Sequence, residues 1–328
     1  MRNIWMILIA VALVVLPHGL SFSQQEILVY LVINILLVVS YRLMTLTGEW
    51  SLGHVVIMGV GAYTSALLTK RLGFYVPVSM IMGALMAAFV AFLLSFPLFR
   101  MKGFYFLIGS FASAEIIRLL WKRFREPFGG PKGLKRIDGL PNIDIGPIHI
   151  DFFEPTAYYY FALIVVLVCL WVLWRIEKSL VGLTFHAVHW QDKLAQASGV
   201  DVRRYRTLAF VLASGFAGLS GALLAHYIGT INPNSFDVEV MVFVLTWAIV
   251  GGTSTFYGPI LGCIVLTILN EIVLRELGFE QMRPLIYGAI MIVSILFMPD
   301  GLESLVKRAL ARWKSAPPPP NQPEEAKP

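Results

Sequence analysis

Ten apolar stretches follow one another along the chain, at residues 4–20, 27–46, 55–68, 76–99, 104–120, 157–174, 208–228, 240–251, 256–274 and 285–298. A helix that crosses a bilayer takes about 20 mostly apolar residues. Inside lipid every backbone N–H and C=O must be paired within the protein, so spanning segments of this kind are helices. The pattern therefore predicts an all-α integral membrane protein, a polytopic bundle of about eight to ten transmembrane helices, with ten as the working count. The stretch 55–68 is short. The stretch 240–251 is shorter still, and is either re-entrant or extended by 236–239. Composition points the same way: 57% of the 328 residues are hydrophobic and only 14% are charged, against about 25% charged in soluble proteins. The mean hydropathy is +0.73. Cys169 and Cys263 both lie inside apolar runs. They read as small buried hydrophobes, not as a disulfide framework.

The division of the chain follows. Residues 1–314 form the membrane domain, which includes a polar segment at 175–206 and a long loop at 121–156. Residues 315–328, rich in proline and charge, form a tail that cannot pack and is expected to be disordered. The net charge of +6 is too modest to suggest nucleic-acid binding, but its distribution reports orientation. With the N-terminus in the cytoplasm and ten alternating spans, 15 of the 26 Lys and Arg residues fall inside. Ten fall outside and Arg118 sits within a span. The bias predicts that both termini are cytoplasmic and that 121–156 is external. The first segment also fits a signal peptide, with Arg2, an apolar stretch, then Ser21-Phe22-Ser23 before Gln24. The later topology is the same either way.

Four interruptions of the apolar pattern are informative. The stretch GEWSLGHVVIMGVGAYTSALL (48–68) opens with Glu49, Ser51 and His54 and carries Gly53, Gly59 and Gly61. On a helix, His54, Met58, Gly61 and Ser65 share one face, and Gly61 with Ser65 makes a small-xxx-small pair that lets helices approach closely. The alternative to dense packing is a helix beside a polar pathway, with His54 near its mouth. Glu115 and Arg118 stand at i and i+3 inside another span and can satisfy each other. In FVLASGFAGLSGALLAHY (210–227), the run Gly218-Leu219-Ser220-Gly221 matches the GxSG of rhomboid intramembrane proteases. His226, however, is six residues on, about 240° around the helix, so it cannot serve as base to Ser220. Gly215, Gly218, Ser220 and Ala222 read instead as a close-packing face. In GGTSTFYGPILG (251–262), Gly251, Gly252, Thr253, Ser254 and Gly258-Pro259 mark either a broken helix around a pathway or a turn between spans. Finally, SLVGLTFHAVHWQDKLAQASGVDVRRYR (179–206) is too polar to span. Phe185, Val188 and Ala195 punctuate a short helix ended by Gly199, suited to docking on a protein partner.

No phosphate-loop GxxxxGK[ST], HExxH or CxxC occurs in the sequence, so the chain carries no means of hydrolysing ATP that its sequence reveals. FGGPKGLKR in the external loop lacks phosphate-loop spacing and reads as a turn.

Taken together, the motifs resemble the LivM-type permeases of branched-chain amino acid ABC transporters. SLGHVVIMGVGAYTSALL is similar to that family's SLGHxxFxGxGAY signature, and GFYFLIGSFASAEIIR to its GxYFxxxTxAxxEIIR segment. FGGPKGL resembles its GGxxGL loop, and YRTLAFVLASGFAGLSGALLAHYIGTINPNSF and VGGTSTFYGPILGC resemble its C-terminal half. The likeness runs from about residue 48 to 301 in the same order. It is looser at HAVHWQDKLAQASG, where Trp190 and Lys193 replace the family's usual charge and apolar residue.

The resemblance implies an ABC-importer permease fold and a five-part assembly in a bacterial inner membrane. Its parts are this chain, a LivH-type second permease, two ATP-binding cassette subunits and an extracytoplasmic substrate-binding protein. It implies a non-catalytic subunit with no cofactor of its own, ATP being used by the partners. Ser51 and His54 would lie near the inner end of the path, with Gly59, Gly61, Ser65, Glu115, Arg118, Gly251, Gly252, Thr253 and Ser254 lining or packing it. ATPase coupling would fall on His186, Val188, His189, Asp192, Ala195, Ala197 and Gly199. The implied cargo is a branched-chain or related hydrophobic amino acid. The related alternative is urea or a short amide, and the alternative of another class is an ion-coupled transporter, which needs its own coupling site near mid-membrane.

Overall fold

Helix boundaries fall where the sequence supplies caps and breakers. The computed structural model describes residues 13–101, 103–145, 148–274, 282–298 and 301–304. Helix α1 (Phe22–Thr45) opens where the Gln24 side chain reaches back to accept from the Ser21 N–H at 3.1 Å, half of a capping box. Helices α2 (His54–Leu72), α3 (Val76–Leu98) and α4 (Phe104–Arg123) follow, α3 with Pro77 in its first turn. There the missing N–H costs nothing. Helix α5 (Pro155–Lys178) also starts on a proline. The polar segment holds α6 (Leu180–Trp190) and α7 (Asp192–Ala197). Helix α8 (Val202–Ile228) is capped by Asp201, which accepts from the Arg204 N–H. It stops at Gly229, whose φ of +70° is open to glycine at little cost. Helix α9 (Val238–Gly251) is capped by Asp237, α10 (Gly258–Ile268) continues into a π-helical turn at Leu269–Leu274, and α11 is Arg283–Phe297.

Nine of the ten expected stretches thus correspond to described helices. Most of the tenth, 4–20, lies outside the described residues, which begin with a short 3-10 turn at Leu16–Gly19. The tail 315–328 lies outside them too. Among the described residues, six helices are long and apolar enough to cross a membrane, and α10 and α11 are shorter apolar helices. The segment 240–251 is extended: Asn232 caps a 3-10 turn at Pro233–Phe236 that leads into α9. The loop expected at 121–156 is shorter, because α4 runs on to Arg123 and α5 begins at Pro155. Between them, β1 (Leu134–Lys135) pairs antiparallel with β4 (Thr230–Ile231), and β2 (Ile143–Ile145) with β3 (Ile148–Ile150). The GGPKG stretch makes a 3-10 turn.

Helix α8 is the hub, packed against α1, α2 and α3, while α5 lies on α1, and α9 through α11 close the far side. Glycine seams permit the closeness. A Cβ on Gly61 would run into the Gly218 backbone, one on Gly83 into the Gly61 carbonyl oxygen, and one on Gly221 into the Met58 carbonyl. Outward, Ile81, Leu85, Phe89, Phe92 and Phe96 make one exposed apolar stripe on α3, at the 3–4-residue spacing of a lipid-facing helix. Successive helices alternate in direction and gather their connections at two ends. One end is marked by the contacts His189–Thr45, Arg42–Thr253 and Arg203–Phe96. The other is marked by Lys70–Lys135, Arg71–Pro127 and His226–Asp138.

Candidate functional site

At the end that carries α6 and α7, charged side chains join the polar segment to the bundle. Arg42, in the last turn of α1 and 1% exposed, grips the Glu177 carboxylate with both terminal nitrogens, at 2.5 and 3.0 Å. Its Nε donates to the Thr253 carbonyl at 3.1 Å. One guanidinium therefore ties together α1, the end of α5 and the 252–257 turn, with the planar fork that arginine offers a carboxylate. A second arginine, Arg206 at the foot of α8, sits between Glu49 (3.2 Å) and Asp192 (3.0 Å). Glu49 is nearly buried, and burial holds its carboxyl above the ordinary carboxylate range against the opposing pull of Arg206. The Thr45 carbonyl lies 3.2 Å from His189 Nδ1. The polar segment is thus ion-paired to α8 through Asp192 and meets the end of α1 through His189, while Arg42 and Glu177 tie α1 to the end of α5.

The segment differs from the single helix expected. It breaks at Gln191, whose φ/ψ of −154/95° is extended. Asp192 can then open α7 while its carboxylate takes both bonds from Arg206. Val188 and Ala195, one from each short helix, pack with Val202 as a small core beneath them. Ala197 and Gly199 are exposed, and Gly199 turns the chain at φ +85°. His186 is half-buried, and burial lowers its pKa. Leu180, Leu183, Trp190 and Leu194 stand exposed on the same segment, each above 60%.

Within the bundle, the expected pathway residues fall into separate places. His54 is fully buried at the start of α2, its Nε2 3.0 Å from Ser40 Oγ on α1. Ser51 Oγ accepts from the Gly53 N–H. Ser65 meets His226 Nε2 at 2.8 Å and Ser79 Oγ at 3.0 Å, and the His226 ring also meets the Asp138 carbonyl. This buried polar chain links α2, α3, α8 and the loop. Ser220, by contrast, donates to the Ala217 carbonyl on its own helix. Gly59 lies against Trp121 and Phe236, where a Cβ would come within 2.7 Å of the indole. Glu115 and Arg118 form a bidentate pair at 2.6 and 2.8 Å, with Asp237 3.8 Å from Arg118. Gly251 and Gly252 end α9, and Thr253 and Ser254 lie in the turn before α10. A Cβ on Gly251 would meet the Gly258 backbone, so two helix ends touch there. The 251–262 stretch is a tight turn between two helices.

Sequence reasoning missed Arg42, Glu177 and Arg206 as connecting residues, and it noted Glu49 without its partner. A lone arginine at the end of an apolar helix was the available signal. Its partner lies 135 residues away and could not be paired with it from spacing.

Comparison with known proteins places the chain among membrane permeases. The family model described as "Branched-chain amino acid transport system / permease component" matches residues 24–295. The chain is 27% identical to the high-affinity branched-chain amino acid transport system permease protein LivM of Escherichia coli (strain K12), over 94% of this chain and 76% of the relative. It is 28% identical to the autoinducer 2 import system permease protein LsrC of Salmonella typhi, over 66% of this chain and 61% of that one. The probable branched-chain amino acid transport permease protein LivH of Methanocaldococcus jannaschii is 27% identical over 47% of this chain and 50% of its own length. No solved structure matches the chain.

Proposed function

Since the chain belongs to the branched-chain amino acid transport permease family and is a multi-pass membrane protein, we propose that it is the LivM-type half of an ATP-driven importer. In this reading it carries branched-chain or related hydrophobic amino acids into the cytoplasm beside a LivH-type permease. Two ATP-binding cassette subunits supply the energy and an extracytoplasmic binding protein supplies the cargo. The chain itself binds no cofactor and catalyses no reaction. The observation that carries the reading is the polar segment at one end of the bundle. It displays Leu180, Leu183, Trp190 and Leu194 to solvent while Asp192 is ion-paired to Arg206 of α8 and His189 meets the Thr45 carbonyl at the end of α1. Exposed apolar side chains on a short helix are what a partner's groove would take. These contacts, and the direct succession of α6 on α5, turn a push on that segment into movement of α1, α5 and α8. On this reading both termini lie in the cytoplasm.

The test is co-purification. Leu183 is 66% exposed, so Leu183→Glu leaves packing alone. It should abolish capture of the ATPases and uptake of leucine, with normal membrane insertion. Normal ATPase capture and uptake in that variant would refute the docking role. A panel of leucine, isoleucine, valine and urea in wild-type proteoliposomes tests the substrate.

A further inference from the structure

At the end that carries α6 and α7, most arginines are already answered within the protein. Arg42 and Arg206 hold carboxylates of other elements. Arg204 pairs with Asp201 at 2.8 Å. Arg175 lies over the Trp171 ring, 5.9 Å from its centroid. Arg100 and Arg203 differ: both are exposed, and among the described residues neither has a carboxylate partner. They also stand together. Phe96 lies in the last turn of α3, and its carbonyl lacks the usual helical donor, because the Arg100 N–H turns to the Pro97 carbonyl at 3.3 Å. Arg203, in the first turn of α8, supplies a donor instead, Nη2 to the Phe96 carbonyl at 3.3 Å. Basic side chains often serve the last carbonyls of a helix in this way. The bond uses one of the five N–H groups of a guanidinium, and it holds the charge where α3 ends against α8.

The surface that leads to these two arginines is apolar. Ile81, Leu85, Phe89, Phe92 and Phe96 form the exposed stripe of α3, and Arg100 follows Phe96 after four residues, just past the helix end. Phe92 and Phe96 are 43% and 49% exposed and meet edge to face at 5.0 Å. A band that faces hydrocarbon thus runs into two uncompensated positive charges at its polar margin. A soluble anion would match the charges alone, and a hydrocarbon tail would match the stripe alone. A phospholipid matches both. Its phosphate takes paired N–H groups from a guanidinium, and its chain lies along the aromatic stripe. Basic pockets between spans collect anionic head groups in this manner.

We propose that the corner between α3 and α8 binds an anionic phospholipid. Arg203 and Arg100 hold its phosphate, and one acyl chain lies along Phe96, Phe92 and Phe89. The site depends neither on the cargo nor on the ATPase-docking reading. The orientation read from the basic residues assigns it to the cytoplasmic leaflet.

The test is native mass spectrometry of the purified full-length protein, with the subunits it carries, in a neutral detergent. The probes are phosphatidylglycerol and phosphatidylcholine of the same chain length. Phosphatidylglycerol should bind at about tenfold lower concentration than phosphatidylcholine, as expected for bonds to charged groups. Arg100→Gln and Arg203→Gln should each raise the phosphatidylglycerol concentration needed by about tenfold. Arg204→Gln is the control, because that side chain is 86% exposed and already paired with Asp201; it should leave binding unchanged. Glycerol 3-phosphate, a head group without tails, should not displace the lipid. Equal binding of the two lipids, or unchanged binding in both the Arg100 and Arg203 variants, overturns the proposal. Equal loss in all three variants also overturns it, in favour of diffuse surface charge. Displacement by glycerol 3-phosphate overturns the lipid in favour of a soluble phosphate ester. Gel filtration checks assembly. Because Arg203 also caps α3, Arg100→Gln decides if Arg203→Gln fails to assemble.

Discussion

A methyl group added to Gly61 has nowhere to go, because its position is occupied by the backbone of Gly218. Backbone cannot step aside as the end of a side chain can, so Gly61→Leu should force α2 and α8 apart. Overpacking a fitted core typically costs about 1–3 kcal/mol, and backbone contact puts this case at the upper end. The expected result is lost assembly or lost uptake. Gly215 is the internal control, since a Cβ there makes only ordinary contact with Ala88 at 3.5 Å. Gly215→Ala should assemble normally. Equal behaviour of the two variants in gel filtration would refute the packing role of the seam. The Arg42–Glu177 pair gives a second contrast. Glu177→Gln leaves a guanidinium enclosed without its counter-charge, a loss of about 3–5 kcal/mol for a buried pair broken on one side. Replacing both by Met removes the charge altogether and should recover most of the thermal stability. It should not recover uptake if the pair transmits motion. At this scale spacing is informative only when partners share a helix. Glu115 and Arg118, three residues apart, were paired on paper and are paired in the fold. Arg42 and Glu177 become neighbours only once α1 and α5 pack together.

The polar segment shows how far an element can be read ahead. Its polarity excluded it from the membrane, and Gly199 was legible as a terminator because a positive φ suits glycine. The break at Gln191 was not legible. It depends on Asp192 finding Arg206 and on Val188 and Ala195 converging over Val202, contacts made by the tertiary fold. Two tests belong here. Gly199→Val places a β-branched residue at φ +85°, a strain of about 1–3 kcal/mol, although no atom lies within 4 Å of the new Cβ. The turn between α7 and α8 should shift, and substrate-stimulated ATP hydrolysis should fall while membrane insertion persists. Unchanged stimulation would remove α7 from the coupling path. The second test is pH. Burial holds His186 below the ordinary histidine range, with Glu177 pulling the other way. Below a pH of about 6.5 the unfolded segment takes up a proton that the folded one resists. Stability should therefore be full above that pH and decline as pH falls toward the folded value. His186→Gln should flatten that part of a thermal-stability profile between pH 5 and 8, and a profile identical to wild type would refute the assignment.

For the molecule as a whole, hydropathy made nine of the ten stretches legible as helices among the described residues, because lipid permits so few alternatives. The order and direction of the helices followed from alternation. Which helices touch was beyond reach, because the contacts join elements far apart in the sequence, as where α8 packs on α1, α2 and α3. The two ends of the bundle offer the last test. Nearly all the connections assigned to the cytoplasm by the count of basic residues gather at one end, with the polar segment. The connections assigned outside gather at the other, where the loop after α4 pairs with the strand after α8. Gln191 is exposed at the first end and Asn142 at the second. Both native cysteines are buried, so background labelling should be low. In oriented membrane vesicles, a membrane-impermeant maleimide should reach Gln191→Cys only from the cytoplasmic side and Asn142→Cys only from the opposite side. Because the helices fix the two positions at opposite ends, the outcomes are linked: reversed labelling of both would overturn the orientation and keep the fold. Labelling of both from one side would contradict the antiparallel passage of α5 itself, since that helix is what separates the two positions.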